Sequence, residues 1–336
     1  MSMTKIAING FGRIGRIFFR QAFAHPELEI VAINDLGLPE NLAYLLKYDT
    51  VYKTYDKNVE VKDGHLVVDG KVVQVTQEKD PTKLPWGTLG VDVVIESTGV
   101  FETAEKAQAH ITAGAKRVVI SAPAKDDVTP TATPNVGIQT LSSAKITSNA
   151  SCTTNCVNPV VAIIMNSIGI KKAMLNTVHG YTATQMLVDG PGGKDFRRGR
   201  AAAQNIVPST TGAAKATTRI ITELEGKFDG IAIRVPVPAG SLIDLTFLAS
   251  RPTTVEEVND IFRKACASPE WNQIIAFNED QIVSSDILGN PHGSIFDSTL
   301  TKVVDGDLVK IFSWYDNEWG YTGMLVKHVQ EVAKLL

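Results

Sequence analysis

Gly10, Gly12 and Gly15 lie between the apolar run KIAIN and the segment RIFFRQAFAH, whose apolar residues recur at helical spacing; EIVAIND then forms a second apolar run. Strand, glycine loop, helix and strand make a βαβ unit, which commits this part of the chain to a parallel sheet covered on its faces by helices. Each glycine has its own task. Gly10 permits a tight turn, Gly12 lets the backbone approach a pyrophosphate, and Gly15 permits close packing of the helix, whose N-terminus faces the anion. Asp35 ends the second run, twenty residues beyond Gly15. There a carboxylate can accept hydrogen bonds from ribose hydroxyls and repel a 2′-phosphate, which favours NAD over NADP. The same glycines also serve as a turn in α/β proteins that bind no nucleotide, and Asp35 as a solvated or capping carboxylate. The strand, helix and acid in their correct order favour the dinucleotide.

Alternation of strands and helices continues to about residue 150. Residues 41–48 have helical spacing, and VEVKDGHLVVDGKVVQVTQ reads as short hairpin strands broken at Asp-Gly pairs. VDVVIESTG and KRVVISAP are buried-type strands on either side of a helical stretch that ends at glycine. Beyond residue 150 a helix from Cys152 to about Asn166 precedes longer runs, GIAIRVPV, SLIDLTFLAS and LVKIFSWYD, the pattern of an antiparallel or mixed sheet with separate helices. GYTGMLVKHVQEVAKLL is helical and is expected to return to the first domain. Two domains follow, 1–150 rejoined by 319–336, and 151–318; a chain of 336 residues exceeds the usual size of one hydrophobic core.

The formal net charge of −3 gives no general attraction to nucleic acid or an anionic membrane. No run approaches the roughly 20 apolar residues that span a bilayer, and the N-terminus lacks a signal-peptide pattern. Three cysteines, Cys152, Cys156 and Cys266, are too few for a disulfide framework and fit a reducing, cytoplasmic setting.

In SNASCTTNC, Cys152 and Cys156 lack the further Cys or His pair that zinc requires, so no metal site is expected. At i and i+4 on a helix the pair is also poorly placed for a disulfide. A thiol in a first helical turn, among unpaired N–H groups and hydroxyls, is instead placed for a lowered pKa and nucleophilic chemistry. Taken alone, Cys152 is equally a small structural residue. Cys156 faces a more apolar run. His179 ends the run AMLNTVH at a loop edge, where a neutral imidazole can serve as base or as an ordinary structural histidine. His25, His65, His110, His292 and His328 attract no chemistry. PSTTGAAKATTR places hydroxyls and a glycine before a helix, either as an anion cradle or as N-caps. Arg234 sits inside an apolar strand and needs an anion, a carboxylate or an exposed face.

These residues lie in an ordered set of motifs: NGFGRIGR, ESTGVF, SNASCTTNC, TVHGYTATQ, DGP, RRGRAAAQN, STTGAAKA, RVPV and SWYDNEWGY. Over nearly its whole length the chain resembles the phosphorylating glyceraldehyde-3-phosphate dehydrogenases. The resemblance implies an α/β fold, with a Rossmann-type dinucleotide-binding domain and an α+β catalytic domain whose sheet is mainly antiparallel or mixed. It implies Cys152 as nucleophile, His179 as base, and NAD as cofactor. Gly10, Gly12, Arg13, Ile14, Gly15, Asp35 and Lys79 would hold its adenosine side, Ser121 and Asn317 its nicotinamide half. Thr182 and Arg234 would bind the substrate phosphate, and Ser151, Thr153, Thr211 and Gly212 inorganic phosphate, with Arg198 near both. The product would be 1,3-bisphosphoglycerate, made through a thiohemiacetal and a thioester by a glycolytic homotetramer.

Erythrose-4-phosphate dehydrogenase is the related alternative, and an NAD-binding regulatory protein without turnover the unrelated one. Three segments depart from the family pattern. VTPTATPNVG carries Pro130 and Pro134 where relatives continue a strand, Lys79 stands where many have arginine, and Ala239-Gly240 replaces Asn-Val, which is expected to loosen a turn or subunit contact.

Overall fold

The computed structural model describes residues 3–336, which divide into two units. The first comprises residues up to Ala132, Gly137–Ala150 and Leu325–Leu336. Its elements are β1 (Thr4–Asn9), α1 (Arg13–Ala22), β2 (Leu28–Asn34), α2 (Pro39–Lys47), β3 (Val59–Lys62), β4 (His65–Val68), β5 (Lys71–Thr76), α3 (Trp86–Leu89), β6 (Val93–Glu96), α4 (Ala104–Thr112), β7 (Arg117–Ile120) and β8 (Ile146–Ser148). The sheet order is β3-β4-β5-β2-β1-β6-β7-β8, and β5 through β8 run parallel. Only the β3-β4-β5 meander is antiparallel, turned by Asp63-Gly64 and Asp69-Gly70 with positive φ throughout.

Alternation along the strands sends side chains into two cores. Ile6, Ile8, Val93, Ile95 and Val119 join one cluster with Phe18 and Phe19 of α1. Ala7, Val94, Val118 and Ile120 join the other with Trp86 and Ala107. A sheet buried on both faces explains why its strands read as continuous apolar runs.

The second unit comprises Thr133–Val136 and Ser151–Met324. It contains α5 (Cys152–Met165), β9 (Ile170–Gly180), β10 (Val207–Thr210), α6 (Ala213–Thr218), β11 (Phe228–Val235), β12 (Ser241–Ala249), α7 (Val255–Ala267), β13 (Ile275–Asn278), β14 (Ser294–Val304), β15 (Leu308–Tyr315) and the start of α8 (Trp319–Ala333). The order β10-β11-β9-β12-β15-β14-β13 is parallel at β11-β9 and β13-β14 and antiparallel elsewhere, the mixed sheet that the alternating runs imply. Strand β12 alternates buried and half-buried residues along its whole length. Its buried Ile243, Leu245 and Phe247 meet Val157 and Val160 of α5 and Phe262 of α7.

The units differ from the sequence boundaries in two places. Met324 packs in the second unit's core, whereas Leu325, Val326, Val329 and Val332 of the same helix pack in the first. Thr133–Val136 also falls in the second unit. Around Pro130 and Pro134 only isolated bridges form, Thr131 with Ser148 and Thr133 with Val136, because neither proline can donate to a ladder.

Candidate active site

Cys152 is the first residue of α5, and Ser151 caps that helix by accepting a hydrogen bond from the Thr154 amide at 3.0 Å. His179 lies near the end of β9. Sγ of Cys152 is 3.3 Å from Nε2 of His179. Sheet register supplies the third member: Arg234 on β11 is the direct partner of His179 on the parallel neighbour β9. Its Nη1 lies 2.8 Å from Nδ1 of His179 and donates to the Gly180 carbonyl at 3.1 Å. Nδ1 is also 2.6 Å from that carbonyl. Beneath the pair, the Tyr315 hydroxyl bridges Thr153 Oγ1 at 2.9 Å and Thr177 Oγ1 at 2.7 Å, with its ring edge-on to His179. Burial holds the Tyr315 phenol far above its usual pKa, so it stays protonated.

The titrations follow from burial. His179 is 3% exposed, and burial, then the Arg234 charge, pull its pKa down to about 3. The imidazole is therefore neutral and able to accept a proton. The sequence reading of Cys152 needs correction here. Burial pushes its thiol above the ordinary value, and this outweighs the opposing Arg234 charge and the hydrogen bonds from Thr153. What the geometry offers the thiol is thus a neutral imidazole at 3.3 Å rather than a lowered resting pKa. Cys156 is fully buried, shares hydrogen bonds with Ser294 and Ser313, and is pushed up to about 12 by burial, so it is inert.

The residues expected to bind anions are divided. Nε of Arg198 donates to Ser209 Oγ at 2.9 Å, and Arg198 lies near enough to Arg234 for their charges to repel. Thr211 Oγ1 accepts from the Ala213 amide at 3.2 Å in a turn just before α6, while Gly212 is that helix's N-cap, without a side-chain cap, and meets nothing within 4 Å of an added Cβ. Thr182 Oγ1 pairs with Thr184 Oγ1 at 3.0 Å. Asn317 accepts at Oδ1 from the Gly240 amide at 3.1 Å and from Ser241 Oγ at 2.8 Å. Gly240 does not loosen this turn: its φ is +90°, and an added Cβ would stand 2.5 Å from the Ser284 carbonyl oxygen.

In the first unit a cavity of about 490 Å³ opens beside the glycine loop, lined by Gly10, Gly12, Asp35, Lys79, Ser97 and Thr98 among others. Gly10 has φ +90°; a Cβ on Gly15 would lie 2.2 Å from the Gly10 carbonyl oxygen, and one on Gly12 would meet nothing within 4 Å. The turn, the close packing and the open approach are thus divided among the three as their spacing implies. Asp35 accepts from the Phe11 amide at 2.7 Å and the Gly37 amide at 2.8 Å, so it ties the loop to the end of β2. A carboxylate has about four acceptor positions, which leaves room for a diol.

Arg13 and Ile14 do not line this cavity with their side chains. The Arg13 guanidinium pairs with Asp49 and lies over Tyr52, and Ile14 packs on the apolar core; at the head of α1 they present backbone N–H groups instead. Ser121 donates from Oγ to the Glu96 carbonyl at 3.1 Å. Two groups escaped the sequence reading. Tyr315 was hidden in an aromatic run, and His110 is fully buried between Trp86 and Glu96. Neither the strand pattern around Tyr315 nor the helical spacing around His110 gives a sign of these contacts. Among the described residues no cluster of His, Cys, Asp and Glu suits a metal, and no helix is long and apolar enough to cross a membrane.

Residues 4–104 match the family model "Glyceraldehyde 3-phosphate dehydrogenase, NAD binding domain", and residues 151–317 match "Glyceraldehyde 3-phosphate dehydrogenase, C-terminal domain". The glyceraldehyde-3-phosphate dehydrogenase of Clostridium pasteurianum is 50% identical over 338 residues, covering 99% of both chains. This chain belongs to the glyceraldehyde-3-phosphate dehydrogenase family. The enzyme of that name from Streptomyces coelicolor is 50% identical, covering 96% of each chain, and glyceraldehyde-3-phosphate dehydrogenase A of Escherichia coli K12 is 47% identical, covering 98% of this chain and 99% of its own. The two family models meet the two units where the fold keeps their sites: the glycine loop and cavity in the first, the thiol and imidazole in the second.

Proposed function

We propose that this family member oxidises glyceraldehyde 3-phosphate with NAD and inorganic phosphate, using Cys152 as nucleophile and His179 as base. The observation that carries the reading is the 3.3 Å approach of Sγ to a buried, neutral imidazole backed by Arg234. The cavity beside Gly10 and Gly12 suits the dinucleotide, because Gly12 leaves its mouth open and Asp35 offers remaining acceptor positions. NAD supplies the hydride acceptor.

The thiol proton passes to Nε2 of His179 as sulfur adds to the aldehyde carbon and returns to the new oxygen, giving a thiohemiacetal. For Nε2 to accept, Nδ1 must carry the ring hydrogen and donate it to the Gly180 carbonyl at 2.6 Å; Arg234 Nη1, which can only donate, then bonds that same carbonyl at 3.1 Å and not Nδ1. The thiohemiacetal hydroxyl then gives its proton to Nε2 as hydride leaves the carbon, and a thioester remains on Cys152. Inorganic phosphate attacks that thioester, the C–S bond breaks, the leaving thiolate takes back the proton held at Nε2, the phosphate proton goes to solvent, and 1,3-bisphosphoglycerate departs. Arg234 and Thr182 are assigned to the substrate phosphate, and Ser151, Thr153, Thr211 and Gly212 to inorganic phosphate, with Arg198 serving both. Ser121 and Asn317 are assigned to the nicotinamide half of the cofactor, and Arg13, Ile14, Gly15 and Lys79 to the adenosine side.

A cytoplasmic homotetramer is part of the same reading. Free thiols support a reducing compartment. An open groove of about 650 Å³, bordered by Met174, Phe228, Thr246 and Leu308, and the exposed Ile231 leave apolar surface on the second unit's sheet for another copy. An absorbance assay for NADH with glyceraldehyde 3-phosphate, run with and without inorganic phosphate, tests the function. Strong dependence on phosphate is expected; oxidation at the same sustained rate without it would leave simple conversion to the acid.

A further inference from the structure

Four strand ends at the carboxyl edge of the first sheet carry a line of side chains. Across the order β5-β2-β1-β6 these are Thr76, Asn34, Asn9 and Glu96. Thr76 Oγ1 donates to Asn34 Oδ1 at 2.9 Å, Asn34 Nδ2 to Asn9 Oδ1 at 2.7 Å, and Asn9 Nδ2 to Glu96 Oε2 at 2.6 Å. Every bond points toward the carboxylate. Glu96 Oε1 also accepts from the Thr98 amide at 2.8 Å and from Thr98 Oγ1. Asn34 reaches the other wall, accepting from the Glu78 amide and donating to its carbonyl, both at 2.9 Å.

The far end of the line is His110 on α4, whose Nε2 lies 3.0 Å from Glu96 Oε2. Its Nδ1 lies 3.1 Å from Nε1 of Trp86 on α3. An indole N–H can only donate, so Nδ1 must accept and the ring hydrogen sits on Nε2, aimed at Glu96. Asn9, Glu96, His110 and Trp86 are each at most 2% exposed, so solvent offers no substitute partner for any of them. Asn9, Asn34, Glu78 and Thr98 line the cavity beside the glycine loop, whereas His110 and Trp86 do not.

We infer that Trp86 and His110 are positioning residues for the dinucleotide: Trp86 fixes the His110 tautomer, His110 fixes Glu96, and Glu96 holds the Asn9 and Thr98 walls in place before the cofactor arrives. The inference rests on the reading of that cavity as the NAD site. A network whose polarity is set at one end transmits a change there to every member, because reversing any donor leaves two hydrogens or two lone pairs facing each other.

The test is calorimetric titration of the full-length protein with NAD, together with steady-state kinetics. His110→Leu removes one hydrogen bond to a buried carboxylate and is expected to raise Kd and the KM for NAD about tenfold, with kcat at saturating NAD within about twofold. His110→Gln retains an N–H for Glu96 and should recover Kd to within about threefold. In 15N spectra of the wild type, His110 is expected to be protonated at Nε2 alone. An unchanged Kd in folded His110→Leu, a lower kcat with unchanged KM, or an Nδ1-protonated His110 would overturn the inference. Should His110→Leu not fold, Trp86→Phe deletes the indole donor together with part of the ring while keeping an aromatic side chain; wild-type NAD affinity in that variant would overturn it equally. A wild type that binds no NAD would instead remove the reading of the cavity, a result distinguishable from variants that bind as the parent does.

Discussion

The two sites are built by different means. The glycine loop of the first unit works mainly through backbone: a turn at Gly10, an open face at Gly12, and a carboxylate that braces the loop from the next strand, all within residues 10–37. The thiol site of the second unit is side chain throughout, assembled from Cys152, His179, Arg234 and Tyr315 on four different elements. A backbone site needs particular residues to be small. A side-chain site needs register and burial to be right.

That contrast can be broken first at the sulfur. Cys152→Ser is expected to reduce NADH formation by at least about three orders of magnitude while leaving NAD binding intact, because the hydroxyl is a far weaker nucleophile beside the same base. An assay paired with calorimetric titration checks both halves, and undiminished turnover would end the nucleophile assignment.

Two alanine substitutions sharpen the backbone side. Gly15→Ala drives a methyl to 2.2 Å from the Gly10 carbonyl oxygen, and denaturant titration should show a loss of about 1–3 kcal/mol. Gly12→Ala, with φ −70° and open space around it, should leave stability within about 0.5 kcal/mol. Its methyl should nonetheless weaken NAD binding by roughly tenfold, because it occupies the ligand's approach. Equal effects of the two on stability would contradict the division of roles.

Each unit also holds a histidine whose pKa burial pulls well down, His328 in the first and His179 in the second, and these make acid stability a common weakness. His328 is 2% exposed, lies 3.0 Å from Thr147 Oγ1, and has its pKa pulled down to about 4 by burial. A folded pKa below the unfolded value of about 6.5 means the unfolded chain binds the extra proton first. The stabilising difference is whole above about pH 6.5 and falls away as pH drops toward 4, by about 3 kcal/mol for His328. His179 acts in the same sense down to its own pKa of about 3. Denaturation midpoints across this window should fall less steeply in His328→Gln than in the parent, and parallel curves would contradict the assignment.

The smallest expected change is in cofactor preference. If Asp35 holds the ribose as assigned, Asp35→Gly removes a charge that would repel a 2′-phosphate and should narrow the NAD to NADP ratio of kcat/KM by roughly tenfold. Because Asp35 also braces Phe11 and Gly37, both affinities should drop; the ratio separates charge from bracing.

The sequence by itself determined whatever depends on neighbours a few residues away. The βαβ unit, the Asp-Gly hairpins, the start of a helix at Cys152 and the work of each glycine follow from periodicity, turn chemistry and local sterics. It also placed His179 at a strand end. Tertiary structure alone decided that β11 lies beside β9 with Arg234 opposite His179, that Tyr315 closes the floor of the site, and that His110 ends a buried line of hydrogen bonds. It also reversed the expected shift of the Cys152 thiol. Helix position is written in local sequence, but loss of water around a sulfur depends on strands and helices that arrive from far along the chain, and at this site that loss is the larger effect.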